Sequence, residues 1–279
     1  MNNQPMNDLK DLAQKTLQIS QTGKLPTKNG VVDFVAQQTF AQNNTVLFAP
    51  DTLQTLLDEC LATPATGMPS QITVQACRTQ KAAFEMNKQG DVVLLNFASA
   101  RNVGGGFLSG AKAQEEDLCR ASGLYLCQQT CPGYYQQNKA EKSAIYTDGM
   151  MYSPRVPFFR VDNGSLLDGM FLSSVITAPA PNMGAYLAKH PDGKDKVEHA
   201  FSQRIGLLLA LIKHLGYKRL ILGAWGCGVF KNDPVFVAHA FYQWLHHPAF
   251  VASFEQVVFA IYDGSRNQHA LNAFARQFA

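Results

Sequence analysis

Residues 91–100 read Asp-Val-Val-Leu-Leu-Asn-Phe-Ala-Ser-Ala, a near-continuous apolar run. A strand with one wet face alternates apolar and polar residues, so an unbroken run belongs to a sheet buried on both faces. Such a sheet needs helices above and below it. The remaining sequence supplies the pattern. Short β-like runs at 45–48, 72–77, 144–146, 156–161, 171–178, 219–224 and 256–262 alternate with helical ones. The helical stretches fall at about 52–61, 81–89, 115–130, 194–215, 234–246 and 267–277. A further helix is expected over 7–19, where Leu9, Leu12, Ala13, Leu17 and Ile19 share a face. Pro-Gly-Tyr-Tyr, Asp-Asn-Gly-Ser and Pro-Ala-Pro-Asn read as turns, and no long linker divides the chain. The expected fold class is α/β, a mixed sheet between helical layers, as one domain over 1–279 with a helical N-terminal extension over 1–40.

Composition narrows the function. With 46% hydrophobic and 16% charged residues the chain is a folded one. A net charge of +3 allows an anionic ligand but lacks the basic stripe of a duplex-DNA binder. No stretch approaches the roughly 20 apolar residues of a membrane span, and the start lacks the features of a secretory signal. The cysteines (Cys60, Cys77, Cys119, Cys127, Cys131 and Cys227) form no CxxC pair and read as reduced, partly buried thiols. The seven histidines show neither HxH nor HxxxH spacing, so no metal is expected. A cytoplasmic monomer is the expectation, and export without a Sec signal would leave the same pattern.

The apolar run leads into Gly104-Gly105-Gly106, and seven residues later a helix begins at Gln114-Glu115-Glu116. Glycines without Cβ let backbone amides approach a ligand, and loops beyond the carboxyl ends of sheet strands are where open α/β folds place ligands. No Lys-Ser or Lys-Thr follows as in a P-loop, and the GxGxxG spacing is absent. A plain connection into a helix with acids in its first turn would share part of this pattern. A second loop, Trp225-Gly226-Cys227-Gly228-Val229-Phe230, follows the strand at 219–224. Asp233 and Pro234 suit the cap and first position of the next helix. Ordinary capping explains those two residues, but less readily the Gly-Cys-Gly before them, which makes an amide-rich concavity fit for a diphosphate. Cys227 has no identifiable base beside it and reads as a small loop residue, not a nucleophile.

The segment GGGFLSGAKAQEE resembles the glycine-triplet, short-spacer, Gln-Glu-Glu signature of microbial-type poly(ADP-ribose) glycohydrolases. VVLLNFASARN, DLCRASGLY, VITAPAPN and GAWGCGVFKNDP extend the resemblance over about residues 70–279. It implies a macrodomain-like three-layer α/β/α sandwich and a ligand, ADP-ribose, free or within poly(ADP-ribose) or an ADP-ribosylated protein. It implies that Glu116 is the catalytic carboxylate and that Glu115 holds the distal ribose. Asn102, Gly104, Gly105 and Gly106 would line that ribose and the neighbouring phosphate, and Gln114 would support the loop on the substrate side. Gly226, Cys227, Gly228 and Val229 would form the diphosphate loop, with Phe230 against the ribose. Neither cofactor nor metal is implied.

Glycosidic bonds break through an oxocarbenium-like transition state, so a carboxyl can protonate the departing oxygen and then accept a proton from the attacking water. Both steps fall to Glu116. Three readings stay open: a polymer hydrolase, a hydrolase of mono-ADP-ribosylated protein (for example arginine-linked), and a non-catalytic ADP-ribose reader. The reader has no need of Gln-Glu-Glu. The aromatics Tyr125, Tyr134, Tyr135, Phe158 and Phe159 are core candidates, any one of which could instead stack on adenine.

Overall fold

The computed structural model describes residues 6–162 and 164–279. The first five residues of the expected extension and Asn163 of the expected Asp-Asn-Gly-Ser turn lie outside the described residues. The chain opens with helix α1 (Met6–Thr22), a hairpin of β1 (Lys24–Thr27) and β2 (Gly30–Asp33), and α2 (Val35–Asn43). There follow β3 (Val46–Phe48), α3 (Pro50–Ala62), β4 (Gln71–Gln75), α4 (Thr79–Asn87) and β5 (Val92–Phe97). Beyond a short 3-10 turn (Phe107–Ser109) come α5 (Gln114–Ala121), α6 (Leu124–Gln129) and α7 (Pro132–Ala140). The long strands β6 (Met150–Arg160) and β7 (Leu166–Ala178) precede α8 (Met183–Leu187), α9 (Lys194–His214) and β8 (Arg219–Leu222). The last elements are α10 (Pro234–Leu245), β9 (Gln256–Ala260) and α11 (His269–Gln277).

Seven strands make one mixed sheet in the order β3-β6-β7-β5-β8-β9-β4. From β7 to β4 all neighbours are parallel, while β6 runs antiparallel to both β3 and β7. The apolar run behaves as its composition demands. Val93 and Leu95 of β5 face one core, shared with α3, α9, α10 and α11. Val92 and Leu94 face a second, shared with α4, α5 and α6. The same alternation recurs in β8, where Leu220 and Leu222 join the first core and Ile221 the second. Two helical layers thus enclose the sheet. No helix of the described residues is long and apolar enough to cross a membrane.

Four local features depart from the sequence reading, each for a tertiary reason. The helix expected over 115–130 breaks at Ser122, which is extended (φ −154°, ψ 178°) and bridges to Phe158, while the Gly123 N–H donates to the Pro157 carbonyl at 3.0 Å. Hydrogen bonds to β6 there replace those of a continuous helix. Pro-Gly-Tyr-Tyr opens α7 instead of a turn, with Pro132 at the first helical position, where its missing N–H costs nothing. The N-terminal extension contains the β1–β2 hairpin besides its helices. Residues 144–146 form no strand, and β6 begins at Met150 instead of 156.

Arg204 of α9 explains the last departure. Its side chain is 1% exposed, pairs with Asp148 at 2.6 Å, and donates to the carbonyls of Ile145 (3.0 Å), Tyr146 (3.3 Å) and Pro179 (2.8 Å). Consecutive carbonyls of a strand point in opposite directions, so Ile145 and Tyr146, whose carbonyls both meet one guanidinium, do not lie in a ladder. Tyr146 is held at φ 64°, a left-handed conformation that an aromatic residue rarely adopts. Replacing Arg204 with Met leaves those carbonyls and Asp148 without their partner. The expected loss is about 3 kcal/mol of unfolding free energy, since carbonyls left without a donor cost about 1–3 kcal/mol each when buried, while the partly exposed Asp148 can turn to water. Urea unfolding measures it, and a midpoint equal to the parent's would contradict the assignment.

Candidate active site

The loop after β5 and the start of α5 make one hydrogen-bonded unit. Gln114 ties the helix to the strand end: its Oε1 accepts from the Phe97 N–H (2.9 Å), and its Nε2 donates to Leu95 O (2.8 Å) and Thr79 Oγ1 (3.1 Å). Its amide protons are therefore spent on the scaffold, and its place is that of a support. Within the loop, the Gly105 N–H donates to Asn102 O at 3.0 Å, and the Ser99 hydroxyl accepts the Asn102 N–H at 3.1 Å. Asn102 itself is exposed. Arg120 closes the unit from α5 by donating to Ala111 O (2.8 Å) and Asp117 (2.6 Å), and Asp117 also pairs with Arg78.

Glu115 and Glu116 occupy the first turn of α5 and are 2% and 7% exposed. Their surroundings differ. Glu115 Oε1 accepts from Asn96 Nδ2 (3.1 Å) and Gln128 Nε2 (2.8 Å), and its Oε2 accepts the Ser99 N–H (2.7 Å). A carboxylate offers about four acceptor positions, so one position on Oε2 remains. Glu116 Oε1 accepts the Gly106 N–H at 2.8 Å, and its Oε2 has no hydrogen-bond partner among the described residues. Gly104 and Gly105 both have positive φ (62° and 58°). At Gly105 the backbone runs so near the two acids that a Cβ would collide with Glu116 Oε1 and stand 2.9 Å from Glu115 Oε2. Only glycine fits there.

The second loop is fixed by Asn232. Its Nδ2 donates to Pro181 O (2.9 Å) and Gly226 O (3.0 Å), joining the loop to the Pro-Ala-Pro-Asn segment after β7. Gly226 takes φ 71°, and a Cβ on it would meet Ala180 Cβ at 2.6 Å. Gly228 and Val229 are exposed, the latter by 80%, while Cys227 is largely covered and burial pushes its thiol well up, away from nucleophilic use. Asp233 caps α10 by accepting the Val235 N–H at 3.0 Å. Phe230 packs against Tyr146, ring centroids 6.1 Å apart, and Arg101 of the first loop stands 5.8 Å over the other end of that contact, the Tyr146 ring. The two loops therefore meet through Tyr146.

Sequence reasoning missed Asn96, Gln128, Tyr146 and Asn232. Asn96 carried a signal, a polar residue inside a buried apolar strand. The others carried none, because each is recruited by a distant element. Of the aromatic candidates, Tyr134, Tyr135, Phe158 and Phe159 are core residues with at most 3% exposure. Tyr125 is half-buried against Phe107. No three His, Cys, Asp or Glu side chains among the described residues could together hold a metal ion.

The family model of the microbial-type poly(ADP-ribose) glycohydrolase (PARG) catalytic domain matches residues 13–161, which include both acids and the glycine loop. The chain belongs to this family. The structure of PARG from Thermomonospora curvata is 37% identical, covering 97% of this chain and 99% of that one, with a TM-score of 0.92. The same enzyme bound to the inhibitor ADP-HPD matches at 36% identity over the same shares, with a TM-score of 0.90. PARG from Deinococcus radiodurans in complex with ADP-ribose matches at 38% identity, covering 88% of this chain and 98% of that one, with a TM-score of 0.82. Comparison with curated protein sequences gives no match. The α/β/α macrodomain-like class expected from the sequence is the fold these PARG structures share with this chain.

Burial raises the Glu115 carboxyl from its ordinary 4.5 to about 8; its three N–H donors oppose the shift, and the neighbouring Glu116 adds to it. Between those two values the folded PARG chain binds a proton that the unfolded chain releases. Stability therefore falls as pH rises through that window. Glu115→Gln lowers the melting temperature at low pH, because an amide nitrogen replaces one acceptor, yet flattens the profile between about pH 5 and about pH 8. Parallel profiles for variant and parent in thermal melts would refute this.

Proposed function

We propose that this microbial-type PARG cleaves the glycosidic bond at the distal ribose of poly(ADP-ribose) and releases ADP-ribose. The D. radiodurans relative is complexed with ADP-ribose and the T. curvata relative with the inhibitor ADP-HPD, which supports an ADP-ribosyl substrate in the same fold. The observation that carries the chemistry is the inequality of the two buried carboxylates. Glu115 is engaged by three donors, whereas Glu116 is anchored through one oxygen and keeps the other unpaired.

Glu116 gives its proton to the bridging oxygen as the bond from that oxygen to the anomeric carbon breaks. The developing oxocarbenium ion is attacked by water, whose proton passes to the now ionised Glu116. The attacking oxygen stays on the ribose as its anomeric hydroxyl, and the enzyme returns to its starting state. The Glu115 carboxyl meets a ribose hydroxyl at its remaining Oε2 position, donating to it while protonated and accepting from it once ionised, and fixes the start of α5. Asn102 and the amides of Gly104, Gly105 and Gly106 line the ribose and its phosphate. The segment Gly226, Cys227, Gly228 and Val229, exposed at its last two residues, receives the diphosphate, and Phe230 orients the ribose, its own position set by Tyr146. No step calls on a metal.

Glu116→Gln should lower kcat by about 10²–10⁴-fold, the usual share of general acid–base catalysis, while calorimetric affinity for ADP-ribose stays within a few-fold. Unchanged turnover would remove Glu116 from the mechanism. Turnover in excess chelator equals that in buffer; its disappearance would overturn the metal-free scheme. A panel of polymer and Ser-, Glu- and Arg-linked mono-ADP-ribose, read by released ADP-ribose, is expected to favour the polymer. Faster release from a protein-linked substrate would instead make this a mono-ADP-ribosyl hydrolase.

A further inference from the structure

A cavity of about 140 Å³ lies beside the glycine loop, and among the residues lining it are Arg101, Lys142, Tyr146, Tyr186, Lys189 and His190. Nothing in the proposed mechanism uses it. Its place follows from the sheet order: Lys142 and Tyr146 precede β6, and Tyr186, Lys189 and His190 follow β7, which adjoins β5 on the side opposite β8. In the proposed mode the substrate lays its diphosphate on the loop after β8 and its anomeric carbon at Glu116, after β5. A substrate that continues in the same direction reaches the β7 side, where this cavity stands. The wall is shared. Arg101 adjoins Asn102, and Tyr146 touches both Arg101 and Phe230.

The lining suits a nucleoside diphosphate. Arg101, Lys142, Lys189 and His190 are exposed, and none of them forms an ion pair among the described residues. The adjoining acid, Glu141, turns its carboxylate to the Ser143 N–H (2.7 Å) and its carbonyl to Arg101 (3.5 Å). Two tyrosines stand among these side chains, Tyr146 under Arg101 and Tyr186 against His190 (4.7 Å). Cations interleaved with aromatic faces are the means by which proteins hold phosphates and bases without reading sequence.

We propose that this cavity binds the diphosphate of the departing ADP-ribose unit, and so favours polymer over a ribose attached to a protein side chain, which brings no diphosphate. The inference rests on the hydrolase reading above. Its test is the double variant Lys142→Ala/Lys189→Ala beside Lys142→Arg/Lys189→Arg, with melting temperatures to verify folding. For the alanine pair, the polymer KM should rise about 3- to 10-fold and its salt dependence should weaken by about one unit per lost phosphate contact. Affinity for free ADP-ribose, which ends at the anomeric carbon, should not move, and the arginine pair should restore KM. An unchanged polymer KM, or ADP-ribose affinity falling in parallel with it, overturns the proposal. So does an equal KM rise on an acidic peptide carrying mono-ADP-ribose, which would mean that the cavity takes the protein chain. If the parent cleaves no polymer at all, the hydrolase reading fails and takes this one with it. If the parent cleaves polymer and the alanine pair behaves like it, only the cavity assignment fails.

Discussion

At the centre of the site a carboxyl group that is almost wholly removed from water must still have its polar atoms satisfied. Ionising such a group out of water costs several kcal/mol even after relaxation, and hydrogen bonds from neutral donors offset part of that cost. Glu115 draws its three donors from three segments: Asn96 on β5, Ser99 in the following loop, and Gln128 on α6. That requirement reaches well beyond the acid itself. Gln128 sits on a helix that exists separately only because the chain breaks at Ser122 and Gly123 and bonds to β6. The helix break, the strand asparagine and the loop serine are thus parts of one solvation shell built from protein.

The neighbouring acid is left in a different state by the same arrangement. One oxygen of Glu116 takes an amide from the glycine loop, and the other is given nothing. Two adjacent residues of one helical turn thus differ by environment alone, and the proposed roles of holder and proton carrier rest on that difference. Gly105 sets how near the loop lies to both. Any side chain there would push the loop off the acids, so the triplet serves geometry before it serves ligand contact.

Long polar side chains pin the other segments at this edge of the sheet. Gln114 satisfies the end of β5, Arg204 gathers the carbonyls before β6 and after β7, and Asn232 joins the second loop to the segment after β7. Buried backbone groups in irregular segments need partners just as those in strands do. Here most of the partners come from elements far away in sequence, which anchors the loops without making them regular. Tyr146, strained and held by Arg204, is where the first loop, the second loop and the basic cavity meet.

The two-sided sheet, most of its strands and the helical layers are legible in the residues alone, because burial on both faces writes an apolar run and its alternation into β5, β8 and β9. The pairing of glycine loop and acids is equally legible, since Gly104-Gly105-Gly106 and Gln114-Glu115-Glu116 lie within one short segment of chain. Tertiary structure alone decided what each of those residues does for the others. Whether Glu115 or Glu116 keeps a free oxygen depends on Gln128 and Asn96, and whether residues 144–146 form a strand depends on Arg204. Local sequence records a residue's own preferences, whereas these outcomes depend on donors and acceptors that folding brings in from elsewhere.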